Sequence, residues 1–119
     1  MESILTSIKK LLGIAEEYTH FDTDIIMHIN SVFSILTQIG VGPSEGFFIT
    51  DDSASWADFL PNDARLELVK SYVYLKVKLM FDPPDRSSVM EANKNMISEL
   101  EFRISVAVDP YKEAGTPTN

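Results

Sequence analysis

The sequence predicts an all-α fold: a small bundle of about four helices, one long elaborated loop and a flexible C-terminal arm. Three observations lead there. Apolar residues recur every three or four positions in four separate stretches. Capping residues open those stretches, and glycine or proline closes most of them. A chain of 119 residues, 45% of them hydrophobic, also amounts to one domain whose core needs neither metal nor disulfide.

The first helix is expected over 3–12. Ile4, Leu5, Ile8, Leu11 and Leu12 form one stripe, with Ser3 as cap and Gly13 as stop. Lys9 and Lys10 fall in its last turn, where cations suit the helix dipole. The second helix is expected over 22–39, where Ile25, Ile26, Ile29, Val32, Phe33, Leu36 and Ile39 repeat at helical spacing. Isoleucine and valine are mediocre helix formers, so periodicity rather than propensity carries this helix. Asp22 is its expected N-cap, Asp24 favours the positive helix end, and Gly40 suits the left-handed position that follows.

Between 40 and 62 the period breaks. Gly42-Pro43 and Glu45-Gly46 are turn signals, and Phe47-Phe48-Ile49-Thr50 reads as a short β piece near 47–50. The stretch 53–60, with Trp56 and Phe59, has room for one or two helical turns. A connection this long inside a small domain is often functional, which makes it a candidate binding loop.

The third helix is expected over 63–80, capped by Asn62 or Asp63. Leu66, Val69, Tyr72, Val73, Val77 and Met80 make one face, and Leu68, Leu75 and Leu79 make another. A stripe this wide belongs to a central helix or to one buried a second time by a partner. Asp82-Pro83-Pro84-Asp85 ends it. The fourth helix opens on the capping-box pattern Ser88-Val89-Met90-Glu91, with Val89, Met90, Met96, Ile97, Leu100 and Ile104 as its buried side. Residues 1–108 then make the helical domain. After Asp109-Pro110, residues 109–119 have no apolar period and read as an arm that orders on binding.

Ten Lys and Arg stand against 18 Asp and Glu, for a net charge of −8. That is the wrong sign for sequence-independent attraction to nucleic-acid phosphates, and it points to protein partners. Copies lining a channel would repel a passing polyanion. The absence of cysteine excludes disulfides, thiolate metal sites and cysteine nucleophiles. No secretory signal is expected, and no stretch approaches the ~20 apolar residues of a membrane-spanning helix.

No enzyme is expected either. The sequence has no GxSxG elbow, Walker loop, dinucleotide fingerprint or HExxH. Gly42-Pro43-Ser44-Glu45-Gly46 lacks the phosphate-loop lysine, and Glu99 and Glu101 point to different sides of their helix. A metal site from His20, Asp22, Asp24 and His28 is geometrically conceivable, since Asp24 and His28 lie one turn apart. The aspartates already have a sufficient role at the helix N-terminus, so no metal and no cofactor is expected. The aromatic residues Phe47, Phe48, Trp56 and Phe59 either close the core or anchor an interface. The Tyr72/Tyr74 pair and Leu68, Leu75 and Leu79 on the third helix pose the same alternative. The candidate interface residues among these are Phe47, Phe48, Trp56 and Tyr74.

The order of features resembles a known family. Ile4-Leu-Thr-Ser-Ile-Lys-Lys-Leu-Leu-Gly13 precedes an aspartate-rich helix start, Asp22-Thr-Asp-Ile-Ile-Met27. Val69-Lys-Ser-Tyr-Val-Tyr-Leu-Lys-Val-Lys-Leu-Met80 runs into Phe81-Asp-Pro-Pro84, and Ser98-Glu-Leu-Glu-Phe-Arg-Ile104 stops before Asp109-Pro110. This arrangement resembles the small head–tail connector (adaptor, neck) proteins of long-tailed bacteriophages and prophages of Gram-positive bacteria. Its most specific piece is Lys76-Val-Lys-Leu-Met-Phe-Asp-Pro-Pro84. The resemblance implies a structural virion protein, made in the bacterial host cytoplasm, that has no membrane partner. It implies a ring of self-associated copies, about twelve, beneath the portal protein. Such a ring extends the DNA channel, lets DNA pass without specific binding, and docks the next neck or tail-completion protein. It also implies a portal-binding arm at 109–119 anchored by Tyr111, and a loop of Phe47, Phe48 and Trp56 that faces a neighbour or the channel. The residues alone leave three other readings open: an acidic helical module that sequesters or inhibits a partner protein, a metal-dependent activity at His20, Asp22, Asp24 and His28, and a DNA-packaging subunit.

Overall fold

A computed structural model describes residues 2–61 and 63–108. Its elements are α1 (Ile4–Leu12), α2 (Asp22–Ile39), α3 (Trp56–Phe59), α4 (Leu66–Phe81) and α5 (Ser87–Val108). The all-α expectation holds, with the fifth element a single turn inside the long loop. Among the described residues no strand forms at 47–50 or elsewhere; Ser3 and Ser55 make one isolated antiparallel bridge. The 109–119 arm with Tyr111, and the Asn62 cap, lie outside the described residues.

Both predicted glycine stops work through the same geometry. Gly13 sits at φ 82° and Gly40 at φ 102°, where a side chain would be strained. Gly13 N–H donates to Lys10 O and Ile14 N–H to Lys9 O; Gly40 N–H donates to Thr37 O and Val41 N–H to Leu36 O. Each pair is a Schellman motif that satisfies carbonyls the helix would otherwise leave open. At the other end of α1, Ser3 Oγ accepts the Thr6 N–H at 3.2 Å, as a cap should.

The start of α2 differs from expectation. Phe21 occupies the cap position without a side-chain cap bond, and Asp22 is the first helical residue. Its carboxylate turns instead to Lys9, with Nζ 2.9 Å from Oδ1, as an ion pair rather than a well-directed hydrogen bond. Lys9, expected in the last turn as a cation suited to the helix dipole, is only 2% exposed. Its ammonium also donates to the carbonyls of Glu16 and Tyr18, each at 2.8 Å. Three oxygens around three donors make this burial tolerable, and the cluster ties α1, the 13–21 connection and α2 together.

Helix α4 is central, as its wide apolar stripe implied: it packs against α2, α5 and α1. Val69, Tyr72, Val73 and Val77 are buried against a core that includes Ile25, Ile29, Phe33 and Leu36 of α2 and Ile4 and Ile8 of α1. It begins at Leu66 rather than 63, because the Asp63 carboxylate accepts from the Arg65 backbone N–H at 2.8 Å and pairs with its guanidinium. Such a local side-chain turn competes with helix formation. Helix α5 starts one residue before the expected Ser88 and packs mainly on α4. Only the stripe facing α4 is covered, so Ile97, Leu100 and Ile104 are buried while Val89 and Met96, expected inside, are exposed. Met80 of α4, also expected inside, is exposed as well.

Candidate protein interface

The long loop sorts its aromatic residues by parity. Ile49 is buried, and both of its backbone groups pair with one side chain. Its N–H donates to Asn30 Oδ1 at 2.8 Å, and its carbonyl accepts from Asn30 Nδ2 at 2.9 Å. The amide of a helix residue thus supplies the bonds that a neighbouring strand would have supplied. Phe47 is half-buried, with its ring 5.4 Å from Phe33 and 5.2 Å from Phe59. Two inward residues separated by one position turn the middle one outward, as in any extended segment. Phe48 is accordingly 71% exposed. Exposed acids flank it: Glu45 on one side, Asp51 and Asp52 on the other. The Ser53 hydroxyl and backbone N–H bond Asp51 at 2.6 and 2.9 Å and hold its carboxyl below the usual carboxylate range.

Trp56 takes the opposite position. It is 3% exposed, its Nε1 donates to Ser7 Oγ at 2.8 Å, and its ring meets Phe33 edge-on. Phe59 stacks on Phe33 at 4.6 Å between centroids. A capping box between Ser55 and Asp58 sets the single turn of α3 that carries both rings. Bonds from Ile4 N–H to Ala54 O and from Trp56 N–H to Glu2 O lock that turn to the N-terminus. In the isolated chain, then, Trp56 and Phe59 close the core and Phe48 points outward. Tyr74 is half-buried and lines a shallow groove beside Leu11, Lys10 and Lys70.

A second surface lies across α4. A groove of about 560 Å³ runs between α4 and α5, with Leu79, Met80, Met90 and Ile97 lining it and Lys76 and Lys94 beside them. Neither lysine has an ion-pair partner among the described residues. The one carboxylate in the groove, Glu101, accepts the Tyr72 hydroxyl at 2.7 Å. Burial, then this carboxylate, push the Tyr72 hydroxyl above its ordinary pKa. Farther along α5, Phe102 (69% exposed) and Val106 stand one turn apart on the solvent side. The sequence reading missed this groove: Met80, Met90 and Ile97 of its lining were expected inside, and its lysines carry no local pattern.

The histidines and their neighbouring acids are dispersed. His20 packs edge-on against Phe21 at 4.8 Å, Asp22 pairs with Lys9, and Asp24 and His28 line a shallow pocket with Phe21 and Phe81. Among the described residues no group of three or more His, Cys, Asp or Glu is placed to hold a metal, and no helix is long and apolar enough to cross a membrane. The outward features of the surface are an exposed aromatic on a pinned acidic loop and an apolar groove with two lysines beside it.

A family model described as "Phage connector protein" matches residues 4–111. No curated protein and no solved structure matches the chain.

Proposed function

The chain belongs to the phage connector protein family, and from that premise we propose that it is a ring-forming subunit of the head–tail junction. In this reading copies assemble beneath the portal protein, extend the DNA channel and present the docking surface for the next neck or tail-completion protein. The observation that carries it is the family match over nearly the whole chain. A structural connector works by contacts rather than catalysis, and the chain's outward features suit that. Phe48, the α4–α5 groove and Phe102 give one subunit several unlike apolar contacts, which a ring needs for its neighbours and for the layers above and below. The net charge of −8 fits a channel wall that DNA passes without sticking. The 109–119 segment serves as the portal-binding arm, with Tyr111 as its anchor.

Size-exclusion chromatography with light scattering tests this reading, on the chain alone and with the portal protein of the same phage. A ring-sized species, or co-elution that is lost on truncation after Val108, is the expected result. A monomer that ignores the portal at high concentration overturns it in favour of an acidic module that sequesters some other protein.

A further inference from the structure

The two surfaces described above complement each other. The 45–52 loop carries one outward aromatic, Phe48, among three exposed acids, Glu45, Asp51 and Asp52. The α4–α5 groove has an apolar floor that includes Met80 and Met90, with Lys76 and Lys94 beside it. In a chain of net charge −8, two lysines without ion-pair partners among the described residues, against the single Glu101 in that lining, are a local reversal of sign. The loop is carried on α2 through Asn30, and the groove lies on the α5 side of α4. The groove and the hollow beside Phe48 share no lining residue, so the two are separate patches of the subunit.

We infer that the Phe48 loop of one copy seats in the α4–α5 groove of the next. Phe48 lies against Met80 and Met90, and Glu45, Asp51 and Asp52 face Lys76 and Lys94. The inference rests on the ring reading and names the surface through which neighbours meet. Thioether sulfur against an aromatic ring is a favourable and adaptable contact. The acids and lysines set register and exclude misaligned pairings. Among the groove's described lining two lysines stand against one carboxylate, Glu101, which accepts the Tyr72 hydroxyl at 2.7 Å. Because loop and groove are different patches, the contact is heterologous, and each copy offers one half to either side; repetition closes a ring or extends a filament. The loop also needs no folding on arrival, since Ile49 and Phe47 already hold Phe48 in place.

The chain has no cysteine, so disulfide trapping has no background. Phe48→Cys and Met80→Cys proteins, mixed at millimolar concentration under mild oxidation, should give the 48–80 heterodimer in preference to either homodimer. A chain carrying both substitutions should give a ladder of covalent multimers. In sedimentation equilibrium, Lys76→Glu with Lys94→Glu should weaken self-association by about tenfold or more. Adding Asp51→Lys and Asp52→Lys to that protein should restore it, which a merely structural role for the lysines would not produce. Multimers that form without the 48–80 link, or that ignore the charge reversal, overturn the loop-and-groove contact and leave the ring reading standing. A chain that stays monomeric both alone and on its portal overturns both.

Discussion

Replacing Lys9 with methionine removes an ammonium and keeps most of its apolar stem. In the native chain that ammonium is 2.9 Å from Asp22 Oδ1 and 2.8 Å from the carbonyl oxygens of Glu16 and Tyr18. Removing one member of a buried ion pair costs about 3–5 kcal/mol when the other stays buried. Here the Asp22 side chain is 24% exposed and both carbonyls belong to exposed residues, so water recovers part of the loss. The expected cost of Lys9→Met is therefore about 2–4 kcal/mol. With a urea dependence of about 1–3 kcal/mol per molar, the denaturation midpoint should fall by about 1–2 M. The double variant Lys9→Met/Asp22→Asn should cost less than the sum of the two single variants, because each single change strands the other charge. Hydrogen exchange should speed up over residues 14–21, where the cluster holds the α1–α2 connection. A midpoint that moves by less than about 0.3 M, together with additive single variants, would refute the reasoning: the ammonium would then not be holding those oxygens together.

Two further perturbations read other parts of the fold. Gly42 has φ 84°, and a Cβ there would stand 2.4 Å from Phe59 Cε1; Gly46 has φ 97° with nothing within 4 Å. Gly42→Ala should cost about 2–4 kcal/mol and Gly46→Ala about 1–2 kcal/mol. Equal losses of thermal stability would mean that Phe59 moves aside freely. Tyr72→Phe should cost about 1–2 kcal/mol near neutrality through the lost bond to Glu101. The folded hydroxyl titrates above the unfolded one, which ionises near pH 10. Its contribution is thus full below about pH 10 and drains away above it, so the gap between the two proteins should close as pH rises. A gap that widens in chemical denaturation at high pH would contradict the burial of this hydroxyl.

Much of the fold was legible in the sequence, for local reasons. Helices α1 and α2 end where Gly13 and Gly40 take left-handed conformations, and the Schellman bonds involved span only a few residues. The apolar period that defines α2 and the wide stripe of α4 likewise report hydrogen bonding between residues one turn apart. The misjudged starts show where this logic runs out. Asp22 was read as a cap because its local pattern fits one, but a buried ammonium from α1 claimed its carboxylate. Asp63 was read as a cap and instead folded a turn around Arg65.

The resemblance to phage connectors was carried by the order of helices and the segment from Lys76 to Pro84, and the family match over 4–111 bears it out. The surface was not legible in the same way. Phe47 and Phe48 are adjacent and chemically identical, and which of them faces outward depends on Asn30, which pins Ile49 from 19 positions away. Whether Trp56 is core or anchor depends on Ser7, 49 positions away. The groove exists because α5 covers only one stripe of α4 and leaves Met80 open between Lys76 and Lys94. By itself the sequence determined what repeats along the chain: helix type, helix stops, charge and family. Tertiary structure alone decided which side chains are left facing outward, because that depends on pairings between segments far apart in the chain, and no local period encodes them.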